Sequence, residues 1–247
     1  MASTLTVRLF ELLCLALFLA GLVWVRRTGH PVYAGVYLGS TLLFGFDWIF
    51  NSNWLFRVEF DTKFVNLWRM QGVGEPLAMA LNYAFYFGAP VLLLVHFREK
   101  LDRRFGARGY LLVFLLGAAA LPVFEIPMVR WGHLWHYYQK PGYLLGGVPW
   151  SNIWYSGLLT VTCYMAARLA LRWASPAGVA AAAAAAPSAV SVGPGTMAAP
   201  TAPTFEDRAK GLLIGAASVW AAFYVCLLVQ IAWYAVTQPW IPAPKPF

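Results

Sequence analysis

Apolar runs of about 20 residues recur along the chain, separated by short charged or polar stretches. At about 1.5 Å of rise per residue, a helix of that length crosses a hydrocarbon core of about 30 Å. The runs predict membrane-spanning helices near residues 5–25, 32–51, 76–97, 109–128, 148–171 and 211–236. Gly, Ser, Asn and Trp interrupt the second and the fifth. No small-residue cleavage site follows the first run, and Arg26 and Arg27 flank it as they would flank a span.

Two stretches break the pattern. Over residues 52–74, Trp54, Phe56, Phe60, Phe64, Trp68 and Met70 are interleaved with Arg57, Glu59, Asp61, Lys63 and Arg69. That mixture is too charged to cross a bilayer. It predicts a segment at headgroup depth that caps a cavity, with Asp61 and Lys63 paired or facing solvent. Residues 174–204 are rich in alanine but broken by Pro176, Pro187, Pro194, Pro200 and Pro203, which predicts a disordered linker. The expected organisation is a membrane bundle over 1–173 carrying the site, a linker over 174–205, and a final span and tail over 206–247. The length of the linker predicts that the last span is loosely tethered and peripheral to any chemistry. The fold class is all-α: a polytopic membrane bundle of about six transmembrane helices.

Composition agrees with this pattern. The chain is 60% hydrophobic and 11% charged, where soluble domains carry roughly 25% charged residues. Six spans and their loops leave no room in 247 residues for a separate soluble domain. Eleven basic residues fall in the connections after the first, third and fifth runs (Arg26, Arg27, Arg98, Lys100, Arg103, Arg104, Arg108, Arg168, Arg172, Arg208 and Lys210), against seven on the other side. The positive-inside rule puts the eleven in the cytoplasm and both ends of the chain outside. The net charge of +8 is accounted for by these anchors to anionic lipid. No nucleic-acid motif is present, and no nucleotide, haem or flavin signature. Cys14, Cys163 and Cys226 match no zinc or CxxC spacing and read as small buried hydrophobes.

The candidate chemistry lies in carboxylates at membrane depth. Only 10 residues of the chain are acidic. Asp47 sits in LLFGFDWIFN, Glu75 opens the third run, and Glu125 ends the fourth. An acid at such a depth is costly, so each is a functional-site hypothesis. His133 and His136 follow Glu125 among Trp131, Trp135, Tyr137, Tyr138 and Tyr143. A metal site needs a third ligand that this stretch does not supply; an aromatic belt at the membrane interface accounts for it. Such rings also suit a pocket for an apolar, conjugated or cationic molecule. The expectation is a cofactor-free and metal-free site.

Several of these residues resemble the spirocyclase AveC family. The run from Gly45 to Asn51, then Asn66 and Trp68, then Gly74, Glu75, Pro76 and Leu77 are similar to its Asp-Pro-x-x-Asn, Asn-x-Gly-Ser-Trp and Pro-Glu-Pro-Leu motifs. Glu125, Gly132, Trp135, Tyr137 and Pro149 to Asn152 resemble its later block. The resemblance covers roughly residues 40–160. Trp48, Leu121 and Asn152 depart from it: the family has proline, aspartate and glutamate there. A weaker similarity runs to carotenoid-hydratase-type membrane proteins.

The resemblance implies closure of a dihydroxyketone into a spiroketal, linked to loss of water. That reaction needs an acid for a carbonyl or hydroxyl, a base for the attacking hydroxyl, and a shaped chamber that positions both. A carboxyl in a low-dielectric pocket stays protonated more readily and is suited to donate. On this basis Glu125 is the general acid. Asp47 is the base or charge stabiliser, with Asn51 one turn on. Glu75 is a second acid or orienting group, or else a helix-capping acid. Asn51, Asn66, Trp68, Asn82, Tyr83, His133, Trp135, His136, Tyr137 and Asn152 are the substrate-binding candidates. The three acids are expected to converge on one cavity near the non-cytoplasmic face of a bacterial cytoplasmic membrane, and the partners are a hydrophobic small molecule and the bilayer. Two alternatives stand beside this: a terpenoid or carotenoid cyclase or hydratase, and a non-enzymatic transporter or assembly subunit.

Overall fold

The computed structural model describes residues 1–46, 57–70, 73–174 and 204–241. Helix α1 (Thr4–Thr28) is capped by Ser3, whose hydroxyl accepts the Thr6 N–H at 3.0 Å, and stops at Gly29 in the left-handed region. Helix α2 (Pro31–Leu42) starts on a proline and runs into a 3-10 turn over Leu43–Phe46. Strands β1 (Val58–Phe60), β2 (Asn66–Met70) and β3 (Val73–Pro76) follow. Helix α3 (Leu77–His96) contains a π turn over Ala84–Gly88. The short basic helix α4 (Arg98–Phe105) leads to α5 (Arg108–Arg130). Strands β4 (Trp135–Tyr137), β5 (Leu144–Leu145) and β6 (Val148–Pro149) precede α6 (Trp150–Trp173), and α7 (Phe205–Thr237) closes the chain behind a Thr204–Asp207 capping box.

The protein is mostly helical, and α1, α3, α5 and α7 are long and apolar enough to cross a membrane. Helix α6 equals them in length but buries Ser151, Asn152, Ser156 and Thr160, so its polar groups turn inward rather than toward lipid. As described, α2 has 12 residues, about 18 Å of helix and short of a bilayer core. The rest of the expected second span, with Asp47 and Asn51, lies outside the described residues.

The architecture is helical, as expected, and among the described residues three short two-stranded antiparallel sheets join the helices. In β1 the residues alternate with period two, with Val58 buried and Glu59 exposed. β1 pairs with β4 in the register Val58↔Tyr137 and Phe60↔Trp135, and β2 forms a hairpin with β3. In β4 the same alternation buries Trp135 and Tyr137 and exposes His136.

Helix α7 is not peripheral. Gly35 and Gly39 on α2 face Gly211 and Gly215 on α7, each pair spaced by four. A Cβ on Gly35 would lie 2.1 Å from the Leu212 carbonyl oxygen, and one on Gly215 would lie 2.4 Å from that of Val32. Where lipid supplies no hydrophobic drive between helices, such small residues let two backbones touch and gain dispersion contacts. The Trp220 indole N–H then reaches the Gly39 carbonyl at 3.0 Å. Backbone contact of this kind seats the last helix whatever the length of the chain before it.

The two ends of the bundle are held by different contacts. Arg168 near the end of α6 makes two bonds to Asp102 of α4, at 2.9 and 2.7 Å, and stacks on Tyr110 and Tyr164. At the opposite end, Phe10 of α1 packs on Phe64 and Trp135, and the Ala2 N–H reaches Asp61 at 2.8 Å. The β1–β4 strip therefore lies at the end away from Arg168 and α4.

Gly215→Leu drives a side chain into the Val32 backbone. It is expected to lower stability by about 1–3 kcal/mol or more, read as a lower melting temperature in detergent. Gly142→Ala, with nothing within 4 Å of the added carbon, is expected to leave the melting temperature unchanged.

Candidate functional site

One cavity of about 100 Å³ lies under the β1–β4 strip. Among the described residues, six elements form its wall: Val58 and Phe60 from β1; Met79, Asn82, Tyr83, Tyr86 and Phe87 from α3; Leu121 and Glu125 from α5; Trp135 and Tyr137 from β4; Asn152, Tyr155, Ser156 and Leu159 from α6; and Phe223 from α7. Each helical set keeps a helical spacing, so each is one face of its helix. Glu125 is the one carboxylate among the described residues that line the wall.

Glu125 sits between Pro122 and Pro127 inside α5. Neither proline has an N–H, so the helix ladder lacks two of its bonds around this residue. The Tyr137 hydroxyl donates to Glu125 Oε2 at 3.0 Å. That bond joins the helix wall to the strand lid. Burial raises the Tyr137 phenol well above its ordinary range, and the charge of Glu125 and the hydrogen bond to it push the same way. Tyr137 is therefore a fixed donor at neutral pH.

Two amides share the wall with this acid. Asn82 is 9% exposed, and its Oδ1 makes no hydrogen bond among the described residues. The Asn152 Oδ1 accepts from the Tyr234 hydroxyl of α7 at 3.5 Å. Around them Phe60, Trp135, Tyr155 and Phe223 supply aromatic surface. The result is an apolar chamber with one acid and a few amide and hydroxyl groups, the usual make-up of a small-molecule pocket.

Of the residues singled out from sequence, Glu125, Asn82, Tyr83, Trp135, Tyr137 and Asn152 come together here. Glu75 does not join them. It is fully buried in β3 opposite Trp68, and α3 begins two residues later, so Met79 and Asn82 are the first α3 side chains to face the chamber. Nor is it a helix cap: the N-cap of α3 is Pro76, with no side-chain cap bond. Asn66 and Trp68 belong to the β2–β3 hairpin; the Asn66 amide packs against Gly74, and Trp68 is exposed. His133 and His136 point away from the chamber. His133 turns through a left-handed conformation after α5, and His136 alternates outward in β4. They border a separate depression with Glu59 and Asp61.

Among the described residues, no group of three His, Cys, Asp or Glu side chains is placed to hold a metal ion. Asp61 is paired with Lys63 at 3.3 Å. Burial alone would raise this carboxyl. It is held below the usual carboxylate range by the Lys63 and Ala2 backbone N–H groups and by the Lys63 ammonium.

Sequence reasoning passed over Tyr86, Phe87, Tyr155, Ser156 and Phe223. The signal for most of them was present. Asn152, Tyr155, Ser156 and Leu159 follow the i, i+3, i+4, i+7 rule of one helical face, as do Met79, Asn82, Tyr83 and Tyr86. For Phe223, in the middle of α7, no such signal exists. The chain matches no protein-family model, no curated protein and no solved structure.

Tyr137→Phe removes the bond to Glu125 and is expected to cost about 1–3 kcal/mol near neutral pH. Because the folded-state pKa of Tyr137 is raised, its contribution is fully present below the unfolded value of about 10 and declines as pH climbs beyond it. Melting temperatures of the native chain and the variant are expected to converge in that alkaline range. A gap that stays constant with pH would contradict the assignment.

Proposed function

We propose that the chain is an integral membrane protein of about six spans. In this reading it acts as a cofactor-free acid/base cyclase on a hydrophobic polyketide or terpenoid intermediate. The observation that carries this reading is Glu125, held by Tyr137 on the wall of an aromatic chamber. Glu125 in its protonated form hands a proton to a carbonyl or hydroxyl oxygen of the bound molecule and becomes the carboxylate to which Tyr137 donates. The electron-deficient carbon that results faces the rings of Phe60, Trp135 and Phe223, whose π faces stabilise positive charge. The packed wall brings an internal hydroxyl into reach, and such positioning is the larger part of the acceleration in ring closure. Asp47 keeps its assignment as the base on the strength of the family resemblance.

The chamber lies at the end of the bundle away from Arg168 and α4. This supports a site near the non-cytoplasmic face of a bacterial cytoplasmic membrane, where an apolar molecule arrives from the lipid. A second reading draws on Leu121, which lines the wall where the family resemblance has an aspartate. A chamber with one carboxylate also suits protonation-started cyclisation or hydration of a terpenoid.

Expression of the native chain beside Glu125→Gln, in a bacterial host supplying polyketide and terpenoid precursors, tests the reading. The native chain is expected to convert a precursor, and the variant to lose about 10²–10⁴-fold in rate, the usual contribution of a positioned acid, with its melting temperature kept. Equal conversion by both, followed by mass spectrometry, would remove Glu125 from the chemistry.

A further inference from the structure

Behind Asn152 lies a second group of buried polar side chains. Gln230 is 0% exposed, Tyr234 1%, Gln139 2% and Ser151 2%. The Gln139 Nε2 donates to the Tyr234 hydroxyl at 3.0 Å, Ser151 and Tyr234 share a bond of 3.1 Å, and the Gln230 Nε2 reaches the Ser151 hydroxyl at 3.5 Å. The two glutamines thus hang from one pair of hydroxyls. Their carbonyl oxygens, each one amide width from that pair, make no hydrogen bond among the described residues. Turning either amide over would only exchange which end is unmatched.

Two buried carbonyls with no protein partner among the described residues are a poor way to build an apolar bundle, because each carries its full desolvation cost. Leucine or methionine at 139 and 230 would avoid it. Buried water is the usual partner of such groups, held by about three protein hydrogen bonds where the site is polar. The group also adjoins the chamber: Asn152 lines the cavity on one side and accepts from Tyr234 on the other. Its outer side is closed by the end of the chain, where Gln139 bridges to Trp240 and the Lys140 N–H bonds the Pro239 carbonyl at 2.7 Å.

We infer that Gln139 and Gln230, with Ser151 and Tyr234, form a buried water-binding site that opens on the cavity past Asn152. Water held there donates to the two glutamine carbonyls and stands one side chain from the chamber of Glu125. A reaction in that chamber that releases or consumes water then has a place for it on the protein side rather than in lipid. This last use rests on the acid chemistry proposed above; the water site does not.

Radiolytic hydroxyl-radical labelling of the full chain in detergent tests the site, because radicals form from bound water as well as from bulk. Tyr234 is compared with Tyr37, which is 0% exposed and bonded to the Phe18 carbonyl. Tyr234 is expected to label several-fold faster than Tyr37, and Gln139→Leu with Gln230→Leu to bring the two rates together. If that double variant does not fold, Gln230→Met alone is expected to slow Tyr234. Equal rates in the native chain, or fast Tyr234 labelling that survives the loss of the glutamines, would overturn the inference. Glu125→Gln is expected to keep the Tyr234 rate, so failure of the proton-donor reading and failure of the water site give different results.

Discussion

A polar group inside an apolar bundle has no water to fall back on, so the protein must supply its partners. The bond between Tyr137 and Glu125 answers that requirement at the centre of the molecule. Here the partner of the acid comes from an element that crosses the bundle mouth. The strip of β1 and β4 does so, and its two-residue period aims Trp135 and Tyr137 downward together. The lid, the acid and the chamber are one arrangement with one cause.

The same requirement explains the inner composition of α6 and α7. Helix α6 carries Ser151, Asn152, Ser156 and Thr160 on the side it turns to α5 and α7, where Ser156 bonds the Gly117 carbonyl at 3.0 Å. Helix α7 meets α2 through glycines and meets α6 through Gln230 and Tyr234. Close backbone packing at one end and a hydrogen-bonded group at the other fix both its position and its rotation. That is why Phe223, midway between them, arrives at the cavity wall.

A chamber with a single described carboxylate, a fixed phenol donor and aromatic walls is suited to moving one proton onto one bound molecule. The polar group behind Asn152 adjoins that chamber through the Asn152–Tyr234 bond and adds no charged side chain of its own. The proposed acid chemistry uses Glu125 of α5 with Tyr137 of β4, and the proposed water site uses Ser151 of α6, Gln230 and Tyr234 of α7 and Gln139 just after β4.

The sequence by itself determined the class of the molecule, because apolar length is a local property and survives any tertiary arrangement. It marked Glu125, Asn82, Asn152 and the Trp135–Tyr137 pair, which the fold brings to one cavity wall. Helical spacing could have added Tyr86, Tyr155 and Ser156. What only the tertiary structure decided is which of these meet. Glu75 looked equivalent to Glu125 along the chain, yet it is committed to a hairpin and sealed away from the chamber. His136 stands between two cavity residues and faces outward, because a strand alternates where a helix would not. The last helix, read as peripheral from the linker before it, is locked in place by glycines whose contact partners lie some 180 residues away, at distances in sequence that no local pattern encodes.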